Sequence, residues 1–267
     1  VLMMFYRAPG ELESELAEMD ECMPHYYKIT GNHGQGAETI MHAEAAFMQG
    51  RFTDAHIALE RAYAQIEGNG QENMALCCDF LARRLSLFTD IGQRAKLEKR
   101  RERLLAHHNV SWLNLWNAAA AYHHALLGST DSIPEAYRRH RLFTVRTLAP
   151  GKPMIEMIEN QVYLAQGEYA HVIGRSEGLL TQCEVMHYAL VALHIRIQTA
   201  AAYEMLGKHG EARALLERAL ADAEPDGFAL PFAENFRYLE PLLTERLQDG
   251  LTGRIVRLGG LAGQRRA

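Results

Sequence analysis

The sequence predicts an all-α fold: a right-handed α-α superhelix of antiparallel helix pairs with a period of about 40 residues. The first observation is a recurring glycine stop between two helical patterns. Ile195, Thr199, Ala202, Tyr203 and Leu206 fall at helical spacing before Gly207, and Ala212, Leu215, Leu216, Ala219 and Leu220 do so after it. The same phrase returns as Gln49-Gly50-Arg51-Phe52-Thr53-Asp54-Ala55 and as Gln166-Gly167-Glu168-Tyr169-Ala170. The second observation is the spacing: Gly167 and Gly207 stand 40 residues apart, and steps of 39 lead from Gly50 to Gly128 and on to Gly167, counting over one unmarked copy near residue 89. The third is that no window alternates with period two, while prolines leave residues 25–133 and 154–224 uninterrupted.

The elements follow in order. Forty residues before Gly50 stands Gly10, so the chain is expected to begin inside a repeat, with residues 1–7 as the end of an earlier helix. Residues 11–22 read as an acidic helix whose Glu11, Glu13, Glu15, Glu18, Asp20 and Glu21 form a solvated face. Gly31-Asn32-His33-Gly34-Gln35-Gly36 then opens a helix over 37–49. Its outer glycines have the spacing of a phosphate loop, but Ala37-Glu38 stand where Lys and Ser or Thr are needed and no strand precedes it, so it reads as a plain connection. A helix over 52–67 completes that pair.

Helices over 73–88 and 91–106 come next. The second carries Arg94, Lys96, Lys99, Arg100, Arg101 and Arg103, interrupted by Glu98 and Glu102 and with no interleaved aromatic residue. That composition fits a solvated or partner-facing helix better than a nucleic-acid grip. Residues 112–127 form an alanine- and aromatic-rich helix, and Ser132-Ile133-Pro134-Glu135 predicts a capped helix start. The pairs 154–166 with 169–182 and 187–206 with 209–223 follow. Residues 228–235 break the pattern, helix resumes near 236–248, and the glycine-spaced tail 250–267 is expected to fray. Residues 1–249 are thus read as one repeat domain with turns near 10, 50, 89, 128, 167 and 207.

Small residues recur where two helices of a pair must approach. Ala43, Ala121 and Ala200 lie seven residues before a turn glycine, Ala55 and Ala212 five after it, and Ala62 and Ala219 twelve after it. Phe52 and Tyr169 follow the glycine closely enough to plug the end of the pair. The unit at Gly167 departs, placing Asn160, Val172 and Leu179 at the small positions.

Composition narrows the class. A net charge of −5 disfavours gripping a phosphate backbone. No apolar run is long enough to span a membrane, and Cys22, Cys77, Cys78 and Cys183 show no metal-type spacing, so a reduced, cytoplasmic protein is expected. His107-His108 and His123-His124 are adjacent pairs that point apart on a helix. No His-Glu-x-x-His or Cys-x-x-Cys completes a site, so no metal, cofactor or enzymatic activity is expected.

The Gly-x-aromatic-x-x-Ala turn with paired small residues resembles the tetratricopeptide repeat, although that repeat runs about 34 residues. The longer period is similar to the repeat region of the large ATP-binding LuxR-type regulators, the maltose-regulator-like group. Met23-Pro24-His25-Tyr26-Tyr27-Lys28 with residues 30–38 looks like the opening of that region, and residues 223–228 with Pro231-Phe232-Ala233-Glu234-Asn235 look like its close. The resemblance implies an inducer-sensing superhelix that couples ligand binding to an ATPase domain before it and a helix-turn-helix DNA-binding domain after it. A peptide- or protein-binding scaffold with no link to transcription is the other reading. An exposed apolar first repeat, with Leu2, Met3, Met4 and Phe5, would favour self-association.

In tetratricopeptide arrays the first helix of each pair lines the concave face. Counting back from the turn glycines puts Leu115, Ala118, Tyr122 and Ala125 there, then Met154, Met157, Gln161 and Leu164, then His194, Ile197, Ala201 and Glu204. The expected ligand contacts are Tyr122, Gln161, His194 and Glu204, with Met154, Met157 and Leu164 as walls, for a small-molecule or peptide inducer.

Overall fold

The computed structural model describes residues 1–67, 69–90, 94–108, 110–142, 149–246 and 250–266. Among these residues there are helices and no strand. In order they are α1 (Leu2–Phe5), α2 (Leu12–Thr30), α3 (Ala37–Met48), α4 (Phe52–Ile66), α5 (Glu72–Leu85), α6 (Arg94–Ala106), α7 (Val110–Leu127) and α8 (Glu135–Arg138). Then come α9 (Lys152–Gln166), α10 (Tyr169–Met186), α11 (Ala189–Met205), α12 (His209–Ala223), α13 (Leu230–Glu234), α14 (Phe236–Thr244) and α15 (Gly250–Arg266).

The repeat turns are built alike. Gly50, Gly128, Gly167 and Gly207 all take positive φ, between 71° and 80°, which a Cβ would strain. After each, the next residue's N–H reaches five residues back: Arg51 to Ala46, Ser129 to His124, Glu168 to Tyr163 and Lys208 to Tyr203, each at 2.9 Å. That long bond satisfies a carbonyl the helix end would otherwise orphan and turns the chain back on itself. Gly10 also takes positive φ before α2, but there the next N–H, of Glu11, reaches only to the Ala8 carbonyl. The copy near residue 89 follows α5, but residues 91–93 lie outside the described ones.

The alanines do what their spacing requires. Ala43, Ala55, Ala62, Ala121, Ala200, Ala212 and Ala219 are all fully buried, and so are Asn160 and Val172 in the departing unit. Small side chains at these points let α3 close on α4 and α11 close on α12.

Three expectations are corrected. The acidic helix does not stop at residue 22; α2 runs on through Pro24 along an exposed stretch. The capped helix expected after Ser132 is only the single turn α8, whose N-terminal residue is Pro134 with no side-chain cap bond. Proline holds the preceding Ile133 extended (φ −68°, ψ 130°), so the capping geometry cannot form. The tail does not fray: α15 packs on α13 and α14 with Leu251, Ile255, Leu258 and Ala262 buried. Its glycines permit close approach. A Cβ on Gly259 would lie 2.2 Å from Cγ of Phe236, so only glycine lets α15 seat there.

The first helices of the pairs, α3, α5, α7, α9 and α11, form the inner layer. In α5, α7 and α9 the N-terminal halves line the space beside α1 and the C-terminal halves hold the α13 segment, while α3 meets both through its own C-terminal half, at Glu44 and Met48. Both α1 and α13 touch α3 as well as α11, bridging the first and last units. Backbone bonds fasten the bridges: Ala189 N–H to the Tyr6 carbonyl at 3.1 Å, and Ala229 N–H to the Met48 carbonyl at 2.9 Å. Tyr6 packs edge-on against Phe228 and its hydroxyl bonds Asp226.

Candidate functional site

The inner face is filled by the chain's own C-terminal segment. Pro231 stands in the first turn of the short helix α13, which carries Glu234 into the middle of the inner layer. There the Glu234 carboxylate accepts two bonds from the Arg84 guanidinium, from Nε at 2.7 Å and Nη2 at 2.9 Å. The Tyr122 hydroxyl donates a third at 3.0 Å. Arg84 also lies over the rings of Phe47, Phe80 and Tyr122, with Cζ 4.9 to 5.7 Å from their centroids. The pair is nearly sealed from solvent, with side-chain exposures of 3% and 0%.

Burial opposes the charge on Arg84, and the Glu234 carboxylate more than offsets it, holding the guanidinium's pKa above its usual value. Burial, then Glu234, push the Tyr122 hydroxyl well above the usual phenol range, so it stays a donor. A buried ion pair with this many hydrogen bonds adds little net stability, but losing one partner strands the other charge in low dielectric.

A ladder of amides runs beside it. Gln161 Nε2 donates to Asn235 Oδ1 at 2.9 Å, while Gln198 Nε2 donates to Gln161 Oε1 and to the Met157 carbonyl, both at 3.0 Å. Asn235 closes the ladder by donating to the Pro231 carbonyl at 3.1 Å. His194 sits next to Tyr122, ring centroids 6.5 Å apart, with neither ring nitrogen hydrogen-bonded. Full burial, reinforced by the nearby Arg84 charge, lowers its pKa well below the ordinary imidazole value and keeps it neutral.

The opposite end of the inner layer, beside α1, is largely apolar and incompletely filled, with Glu44 and Asn73 as the polar residues of its lining. A cavity of about 90 Å³ lies between α1 and the helices α5, α7 and α9. Met4, Phe80, Leu115, Ala118, Met154 and Ile158 wall it. Phe80 belongs to both regions, since its ring also meets Tyr122 edge-on at 5.6 Å.

Apart from Glu204 at the end of α11, the residues expected to bind a ligand lie within the inner helices α7, α9 and α11, but most are buried rather than on an open surface. Tyr122, Gln161, His194 and Met157 have no solvent exposure and Leu164 only 1%. Three of them contact α13, Asn235 or one another instead. Met154 alone among the expected walls lines the cavity, together with Leu115 and Ala118. Glu204 is elsewhere: it accepts from His209 Nδ1 at 2.8 Å across the Gly207 turn, beyond the last buried layer of α11. The sequence missed Arg84 because a single arginine in a helix carries no signal of its partner. Glu234 and Asn235 were visible only as part of a closing phrase.

Other features carry less. The glycine-rich loop before α3 has no free cradle, since Gly34 N–H donates to Gln71 Oε1 at 3.0 Å and Gly36 N–H to the Tyr27 hydroxyl at 3.1 Å. A cleft of about 520 Å³ lies between α10, α11, α12 and residues 6–9, where Arg196 is already paired with Asp222 at 2.8 Å. Among the described residues no three His, Cys, Asp or Glu are grouped to hold a metal ion, and no helix is long and apolar enough to cross a membrane. No known protein-family model matches the chain, and no curated protein matches it significantly.

Proposed function

We propose that this chain is the inducer-sensing and coupling repeat region of a LuxR-type transcriptional regulator of the maltose-regulator-like group. It works between an ATPase domain and a DNA-binding domain, in the cytoplasm and without catalysis of its own. One observation supports the reading above the others. Pro231-Phe232-Ala233-Glu234-Asn235, on which the resemblance partly rests, is also the stretch seated in the inner face, where Arg84, Tyr122 and Gln161 hold it.

This seating gives a route for coupling. The inner helices α5, α7 and α9 sense through their N-terminal halves and hold α13 through their C-terminal halves; α13 packs on α15, the last element. A cavity of about 90 Å³ admits only a few atoms, so a larger inducer must displace α1 or shift the inner helices to enter. A ligand can bias two arrangements only through its differential affinity for them, and here the same helices grip both the cavity and α13.

The test is the reading frame that encodes this chain, extended in both directions. A nucleotide-binding motif of the Gly-x-x-x-x-Gly-Lys-Ser/Thr kind upstream and a helix-turn-helix downstream are the expected result. A catalytic domain on either side, or neither motif in a completed frame, contradicts the proposal.

A further inference from the structure

Outside the inner face, Arg83 is 93% buried yet its Nε and Nη2 have no hydrogen-bond partner. Its guanidinium stacks on the indole of Trp116, Cζ 4.5 Å from the ring centroid, and Arg101 approaches the same ring at 5.6 Å. Stacking satisfies the face of a guanidinium and leaves its N–H edge wanting acceptors. Two further polar atoms of this cluster are also unpartnered: the Trp116 indole Nε1, a donor, and His124 Nδ1. His123 fixes the backbone here by donating from Nδ1 to the Arg83 carbonyl at 3.0 Å.

Asp79 and Glu98 attract the Arg83 guanidinium through space, but among the described residues no carboxylate forms an ion pair with it. Asp79, one turn before Arg83, is committed to Arg100 and to the Tyr63 hydroxyl, the latter at 2.8 Å. Glu98 on α6 is exposed and acts on Arg83 only through space. A buried guanidinium with idle donors is costly, and burial lowers its pKa accordingly. The surrounding Leu76, Leu104, Trp116 and Ala120 form a small apolar cluster separate from the main core, so the charge is not needed to hold that core together.

We propose that the junction of α5, α6 and α7 is an oxyanion site, in which a carboxylate or phosphate group is bound by Arg83 and Arg101 with the Trp116 indole N–H as a further donor. Planar paired donors on arginine suit the two or three oxygens of such a group, and the apolar wall excludes competing water. The proposal stands independently of the function proposed above. The anion can be free in solution or be the acidic side chain of a docking protein segment.

The test follows tryptophan fluorescence in the whole chain carrying Trp112→Phe, which leaves Trp116 as the reporter, during titration with inorganic phosphate or with a tetraglutamate peptide, against sodium chloride at matched ionic strength. A saturable change with one of them and none with chloride is expected; response to phosphate alone assigns a free anion, and response to the peptide alone assigns an acidic partner. Arg83→Gln should weaken binding at least about tenfold, the loss of a charge-assisted pair of bonds. Arg101→Gln, on an exposed position that leaves the fold intact, should weaken it by about three- to tenfold. No saturable response to either anion, or equal affinity in the parent and both variants, overturns the proposal.

Discussion

The two ends of the inner layer are built from the same five helices and differ in chemistry. At the C-terminal end the chain seats its own segment by named polar contacts: Arg84 and Tyr122 to Glu234, Gln161 to Asn235. At the N-terminal end α1 lies over a largely apolar, partly empty space, and its polar anchor is the buried Glu44 carboxylate, which accepts from the Leu2 N–H. Directional bonds fix one arrangement, whereas apolar packing tolerates several of similar energy. The difference suits the proposed roles: under that reading the bonded end would pass position to α13 and α15, and the end with empty space would accommodate a guest.

The strongest way to break this contrast is at the lock. Glu234→Ala leaves the Arg84 guanidinium buried without its partner, and the expected loss is about 3–5 kcal/mol of unfolding free energy, measured by urea denaturation. The double change Arg84→Met with Glu234→Leu should recover much of that loss, because no charge is then stranded. A single-variant loss under about 1 kcal/mol would show that the lock is not as dry as its geometry implies.

The second expected effect is on pH. His194 is neutral in the fold with its pKa pushed well down by burial and by Arg84, while the unfolded chain protonates near the usual value of about 6.5. Below that value the unfolded state binds more protons, so stability is complete above about pH 6.5 and falls as the pH drops. One such group costs at most about 1.4 kcal/mol per pH unit, or about 2 kcal/mol at pH 5. His124, half-buried and lowered by burial and by Arg83, adds in the same direction. Stability curves at pH 7 and pH 5 for the parent and for His194→Phe check this, since the variant should lose the larger part of the slope contributed by this histidine.

The smallest effect contrasts two methionines one turn apart on α9. Met157 is fully buried in the packed part of the layer, so Met157→Phe should cost about 1–3 kcal/mol by overpacking. Met154 borders the cavity, so Met154→Phe has room to fill and should change stability by less than about 1 kcal/mol. Equal costs would mean that the cavity is not a reserve of space.

Most of the fold was legible because its determinants are local. A glycine that must take positive φ, and alanines that must be small to let two helices touch, each announce themselves within a few residues, at Gly167 and Gly207 or at Ala200 and Ala212. The inner face was legible only as a face. Counting from the glycines found Tyr122, Gln161 and His194, but what covers them depends on a contact between Arg84 and Glu234, 150 residues apart, which no local pattern encodes. The tail misled for a related reason. Gly259 reads as a helix breaker alone and becomes a packing requirement only when Phe236 lies against it.

The central claim is that the inner helices and α15 are joined through α13. Hydrogen–deuterium exchange on the parent chain and on Glu234→Gln, followed by mass spectrometry of peptides covering every helix, measures it directly. The account predicts that weakening the lock raises exchange together in α13, in α15 and in the C-terminal halves of α5, α7 and α9, while α4 and α12 on the outer layer stay as protected as before. Increased exchange confined to α13, with α15 unchanged, would contradict it.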